Sequence, residues 1–169
     1  MTDKVKGYSP TQVTLHWVVV VLVAFQFVAH DGIEDAWRSI VRGQSGADPD
    51  TTPLAYMHIA AGSLILVLAL ARIYLRFTRG TPPPPPNEPR LMHITAEAVH
   101  GSIYVLLLLL PISGLVAWLF VVEAAGDAHE LMQNLLLLAI ALHIGGALFQ
   151  HFVRRSDVLL RMFRPEQAP

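Results

Sequence analysis

The chain has 169 residues, of which 53% are hydrophobic and 15% charged, with a formal net charge of −1. Soluble domains carry about 25% charged residues, so the deficit points to lipid, and the lack of a basic surplus excludes a nucleic-acid partner, which demands Lys and Arg on one face. No cysteine is present, which excludes disulfides, thiolate zinc sites, iron–sulfur clusters and covalently attached c-type haem.

Four apolar stretches follow one another, at roughly 13–29, 54–77, 99–122 and 131–153. Each is long enough to cross a hydrocarbon core of about 30 Å, where only a helix satisfies its own backbone. The spacing predicts an all-α integral membrane protein, a four-helix up-down-up-down bundle with helices at about 10–30, 54–78, 94–122 and 129–154, forming one domain over 1–169. Lys4 and Lys6 precede the first stretch as in an export signal. That stretch nevertheless holds His16, Trp17 and Gln26, which a discarded signal has no reason to carry, so it is expected to be a retained span.

The first loop is acidic, with Asp31, Glu34, Asp35, Asp48 and Asp50. Prolines 82–86 make the second loop a stiff polyproline spacer. The third, between Val122 and His129, is short and carries Glu123 and Asp127. Lys4, Lys6, Arg72, Arg76, Arg79, Arg90, Arg154, Arg155, Arg161 and Arg164 fall at the termini or beside the second loop, against Arg38 and Arg42 in the first. By the positive-inside rule both termini are expected on the cytoplasmic side of the membrane.

Eight histidines in so apolar a chain are the chemical signal, because ionisable groups at membrane depth are costly and mark function. His129 and His143, fourteen residues apart, share nearly one helix face and stand about 21 Å apart along the axis. Low-spin haem iron takes two axial ligands on opposite sides of the macrocycle, and in a bundle these come from different helices. Helix direction pairs His16 with His143 at the inner level and His58 with His129 at the outer level. His100, also at the inner level, competes with His16. A metal site of histidines without haem would need its ligands to converge on one point, and these fall at two levels. Met57 and Met132 are thioether alternatives, more typical of packing. Gly62, one turn after His58, and Gly145 and Gly146, after His143, leave room for a porphyrin or for helix contact. Pro111 with Gly114 predicts a kink. Arg72 and Arg76 suit haem propionates by their bidentate geometry, or phospholipid. His151 is a candidate partner for a quinone carbonyl or a propionate, or an interfacial residue; His30 and His93 read as loop or interface residues.

The phrases Leu15-His16-Trp17, Met57-His58-Ile59-Ala60-Ala61-Gly62 to Leu70-Ala71-Arg72, His100-Gly101-Ser102-Ile103-Tyr104, Leu110-Pro111-Ile112-Ser113-Gly114 and His129-Glu130 through Leu142-His143 together resemble the bacterial cytochrome b561 family. The resemblance implies two non-covalent b haems with bis-His ligation from the first, second and fourth membrane helices, and exchange of electrons with ubiquinone. Some members of that family resemble superoxide oxidases, although the short third loop departs from their pattern. The resemblance therefore implies a quinone-linked oxidoreductase, with a redox partner protein as a further expectation. The alternative is a haem-bearing anchor that links a hydrogenase or dehydrogenase to quinone. A cofactor-free transporter or scaffold is a third class, and would be colourless.

Overall fold

The computed structural model describes residues 7–43, 52–86 and 88–165; Lys4, Lys6, Asp48 and Asp50 of the charge pattern lie outside them. Among the described residues the chain is helical, with α1 (Pro10–Val28), α2 (His30–Val41), α3 (Thr52–Arg79), α4 (Arg90–Phe120), α5 (Glu123–Phe152) and a short 3-10 turn (Leu160–Met162). The helices α1, α3, α4 and α5 are each long and apolar enough to cross a membrane.

Local chemistry explains the boundaries. The α1 start is a capping box: Ser9 Oγ accepts from the Gln12 N–H (3.3 Å), and Gln12 Oε1 accepts from the Ser9 N–H (3.0 Å). Pro10 sits at the first helical position, where its missing N–H costs nothing. α4 begins after Pro89, carries Pro111 in its interior, and ends at Val121 in the left-handed region (φ 52°). A β-branched residue there is strained. It reverses the chain in so few residues that α5 begins at Glu123.

The expected boundaries of α4 and α5, 94 and 129, fall inside the helices, because polar first turns (Arg90-Leu91-Met92-His93 and Glu123-Ala124-Ala125-Gly126) extend each beyond its apolar run. His93 is therefore helical rather than in a loop. The acidic first loop contains α2, and His30 is its first residue. Ile33, Ala36, Trp37 and Ile40 fall at helical spacing, which makes α2 an amphipathic helix between charged positions. Ala36 and Gly32 are buried, α2 packs on α3, and Arg38 donates to Glu34 one turn earlier.

Packing follows the order α1 on α3, α3 on α4, α4 on α5, with α4 and α5 in the longest contact. At one end Gln12 Nε2 donates to the Gly80 carbonyl (3.1 Å), Trp17 Nε1 to Met162 (2.8 Å) and Arg161 Nη1 to Pro83 (2.7 Å). This end, called the terminal end, thus gathers the start of α1, the 3-10 turn and the polyproline loop; α2 and the α4–α5 turn form the opposite, α2 end. Between the ends lies the apolar core of Val19, Ile65, Ala69, Leu107, Leu110 and Leu136. Large apolar residues such as Val28, Phe77 and Phe152 face outward, the inverse of a soluble surface.

The α2–α3 contact depends on Gly32, where an added Cβ would stand 2.6 Å from Leu54 Cβ. Gly32→Val is expected to destabilise this end by about 1–3 kcal/mol through overpacking, measured as faster limited proteolysis within α2 while the membrane helices stay protected.

Candidate functional site

At the α2 end, His58 from the second turn of α3 faces His129 from the second turn of α5. Their ring centres are 6.4 Å apart, with the planes at 58°. Two imidazoles on opposite sides of one metal, each with a metal–nitrogen bond of about 2 Å, place their ring centres about 6 Å apart. His129 Nδ1 lies 2.9 Å from the Leu110 carbonyl oxygen and 3.2 Å from Ser113 Oγ, which itself donates to Leu110 (2.9 Å). A carbonyl only accepts, so Nδ1 carries the proton and Nε2 keeps its lone pair for a metal. The ring can nest against α4 because residue 114 is glycine: a Cβ there would lie 3.0 Å from His129 Cε1 and 3.1 Å from Nδ1.

Gly62 is buried, and a Cβ on it would lie 3.0 Å from Gln26 Nε2. That amide donates to the His58 carbonyl (3.1 Å), tying α1 to the start of α3. The Gly62 role is thus both helix approach and room, since it lines a cavity of about 350 Å³ together with His58, His129 and Gly114. This volume is within the range of cofactor pockets. Two buried polar atoms here, His58 Nδ1 and Gln26 Oε1, have no protein partner. Trp37 of α2 also lines the cavity and packs against Gly126, where a Cβ would meet its ring at 3.3 Å. The helix that composition hid as an acidic loop therefore forms a wall of the site; its signal was the apolar spacing of Ile33, Ala36, Trp37 and Ile40.

At the terminal end, His16 of α1 and His143 of α5 stand 6.3 Å apart at 64°. This is the same spacing as the first pair, four turns along α5. His100 of α4 packs edge-on against His143 at 5.0 Å and 73°, too close for two rings to share one metal from opposite sides. Arg72 lies within electrostatic range of His16, His100 and His143. Its guanidinium carbon is 5.9 Å from the Tyr104 ring centre, and its Nε and Nη1 are buried without a protein partner. Arg76 is engaged otherwise, in an ion pair with Glu97 (2.8 Å).

The remaining expectations sort by position. His151 has a buried, unpartnered Nδ1 and lies edge-on to Phe152 at 4.9 Å. Gly145 and Gly146 face open space, with nothing within 4 Å of an added Cβ, so they contribute no helix contact among the described residues. Met132 packs on the apolar core and Met57 is 51% exposed, as expected of packing and lipid-facing methionines. Among the described residues no cluster of three or more His, Asp or Glu converges as a metal site. Imidazoles instead face one another in two pairs, His58 with His129 and His16 with His143.

The model of the prokaryotic cytochrome b561 family matches residues 7–165. The chain is 33% identical to the cytochrome b562 of Cereibacter sphaeroides, over 94% of this chain and 96% of that protein. It is 30% identical to a protein of Yersinia pestis named probable superoxide oxidase CybB, with 93% and 96% covered. Cytochrome b561 homolog 1 of Escherichia coli K12 is 26% identical, with 92% and 96% covered. A membrane bundle with facing imidazoles is what a haem-binding electron carrier requires, and with a match over nearly its whole length this chain belongs to the prokaryotic cytochrome b561 family.

Proposed function

We propose that this membrane electron-transfer protein carries two b haems, one between His58 and His129 and one between His16 and His143, and passes electrons between an outer-side donor such as superoxide and the quinone pool. The observation that carries the reading is the repeated ring spacing, 6.4 Å at one level and 6.3 Å at the other. The whole chain acts as one domain. Haem supplies reversible one-electron storage; the protein supplies ligation, burial and tuning.

Each residue then has a task. The Leu110 carbonyl orients His129 and raises the basicity of its free nitrogen. Gly114 and Gly62 leave space beside the macrocycle, and the apolar layer of Val19, Ile65, Leu107 and Leu136 keeps water from the interval between the levels. Arg72 neutralises a propionate at the terminal end. His151, with a free buried Nδ1, is the candidate donor to a quinone carbonyl. The arginines 72, 76, 79, 90, 154, 155, 161 and 164 gather at the terminal end, against 38 and 42 at the other, which supports a cytoplasmic terminal end. Superoxide enters this proposal from the name of the Yersinia pestis relative.

Haem quantitation with reduced-minus-oxidised spectra of the purified protein is expected to give two b haems per chain. A colourless protein overturns the reading, and stoichiometric co-purification with a large soluble dehydrogenase favours the anchor role instead. His129→Ala and His143→Ala are each expected to remove one haem and leave the other, read as a halved haem content. Gly114→Val pushes the His129 ring off its seat and is expected to cost the α2-end haem about 10–100-fold in affinity, the usual effect of losing a ligand's supporting contact, while the terminal-end haem remains.

A further inference from the structure

The proposed haem between His16 and His143, on which this inference rests, brings its carboxylates to the terminal end. A b haem carries two propionates, and a buried carboxylate needs a cation or several donors beside it. Arg72 offers two buried, unpartnered nitrogens. The obvious second cation, Arg76, is ion-paired with Glu97 (2.8 Å) and, unlike Arg72, offers no buried nitrogen without a partner.

Another arginine reaches this end from far along the chain. Arg161, in the 3-10 turn, is 17% exposed in its side chain. Its Nη1 donates to the Pro83 carbonyl (2.7 Å) and its Nη2 pairs with Asp157 (2.8 Å). Its Nε is buried and has no protein partner. The turn is anchored beside the ligand pair: Trp17 donates to the Met162 carbonyl (2.8 Å), stacks near Phe163 (5.0 Å) and touches the His16 ring (5.3 Å). Tyr8, just before α1, is the electrostatic neighbour of Arg72, Arg76, Tyr104 and Arg161 together. Burial pushes its phenol above the ordinary value, so it remains a neutral donor.

We propose that the C-terminal turn is part of the cofactor site, with Arg161, Tyr8 and Arg72 forming a cradle for the carboxylates of the haem between His16 and His143. The tail then closes the cofactor's polar edge and joins it to the polyproline loop through Pro83. The shared chemistry is an oxyanion, and the other source of one at this depth is a lipid phosphate.

Reduction adds one negative charge to the haem, so a nearby cation favours the reduced form and its removal lowers the potential. The test is a redox titration of the full chain in nanodiscs of phosphatidylcholine alone, following the wave that disappears in His143→Ala. In Arg161→Gln that wave is expected to shift to lower potential by about tenfold in the reduction equilibrium, or 59 mV for a one-electron couple. The other wave stays in place, and Arg161→Lys, which keeps the charge, recovers most of the shift. Asp157→Asn, which frees Arg161 from its ion pair without removing its charge, is expected to leave the potential at or above that of the parent protein. No shift in Arg161→Gln, or an equal shift of both waves, overturns the cradle while leaving two haems intact. A shift seen only after anionic phospholipid is added assigns Arg161 to a lipid phosphate and also overturns it. If the parent protein binds one haem and His143→Ala changes nothing, the terminal-end haem itself is refuted.

Discussion

An imidazole inside a membrane bundle must find a partner for each ring nitrogen, and the architecture of this chain is arranged around that constraint. His129 satisfies one nitrogen on the Leu110 carbonyl and turns the rest of its ring toward His58. Four such rings placed singly would each be an unpaired polar group in an apolar interior, at a cost of several kcal/mol. Placed as facing pairs, they share that cost with whatever binds between them. The helical packing order serves the same end: α3, α4 and α5 lie side by side, and α1 meets α5 through the His16–His143 pair.

The two ends differ in what surrounds the rings. The α2 end is walled by aromatic and small residues, with Trp37 against Gly126 and His129 against Gly114, so shape complementarity does most of the positioning. Cations and hydrogen-bonded tail contacts dominate the terminal end, through Arg72, Arg161, Tyr8 and Trp17. One family fold thus holds two chemically similar sites in different electrostatic settings. The two haems proposed for these sites would then differ in electron affinity, since cations stabilise the more negative, reduced state.

Much of this was legible in the residues, and what was not has a physical cause. The four spans follow from apolar run length, which lipid enforces without regard to detail. The pairing of His16 with His143 and of His58 with His129 follows from helix direction and the fourteen-residue interval, and in the folded chain those rings do face one another. α2 was hidden because its acidic residues dominate the composition, while its apolar stripe is only one helix face wide. Gly145 and Gly146 were read as neighbours of a ligand because they follow His143 in sequence; on the helix Gly145 lies about 160° and Gly146 about 60° round from it, and both face open space. The Leu110 carbonyl, and Arg161 in the role proposed for it, carry no sequence signal: one is backbone, and the other lies 145 residues from His16.

The histidines of both levels are borne by one uninterrupted rod, α5, which lacks proline between Glu123 and Phe152. The other two donors, His16 on α1 and His58 on α3, come from separate helices that can tilt or slide with the bilayer, opening or tightening each pair. The vertical interval between the levels is set by the covalent register of α5 and does not stretch with them. Because tunnelling rates fall steeply with distance, the helix acts as a ruler, making the hop between the proposed haems insensitive to membrane thickness and lateral pressure.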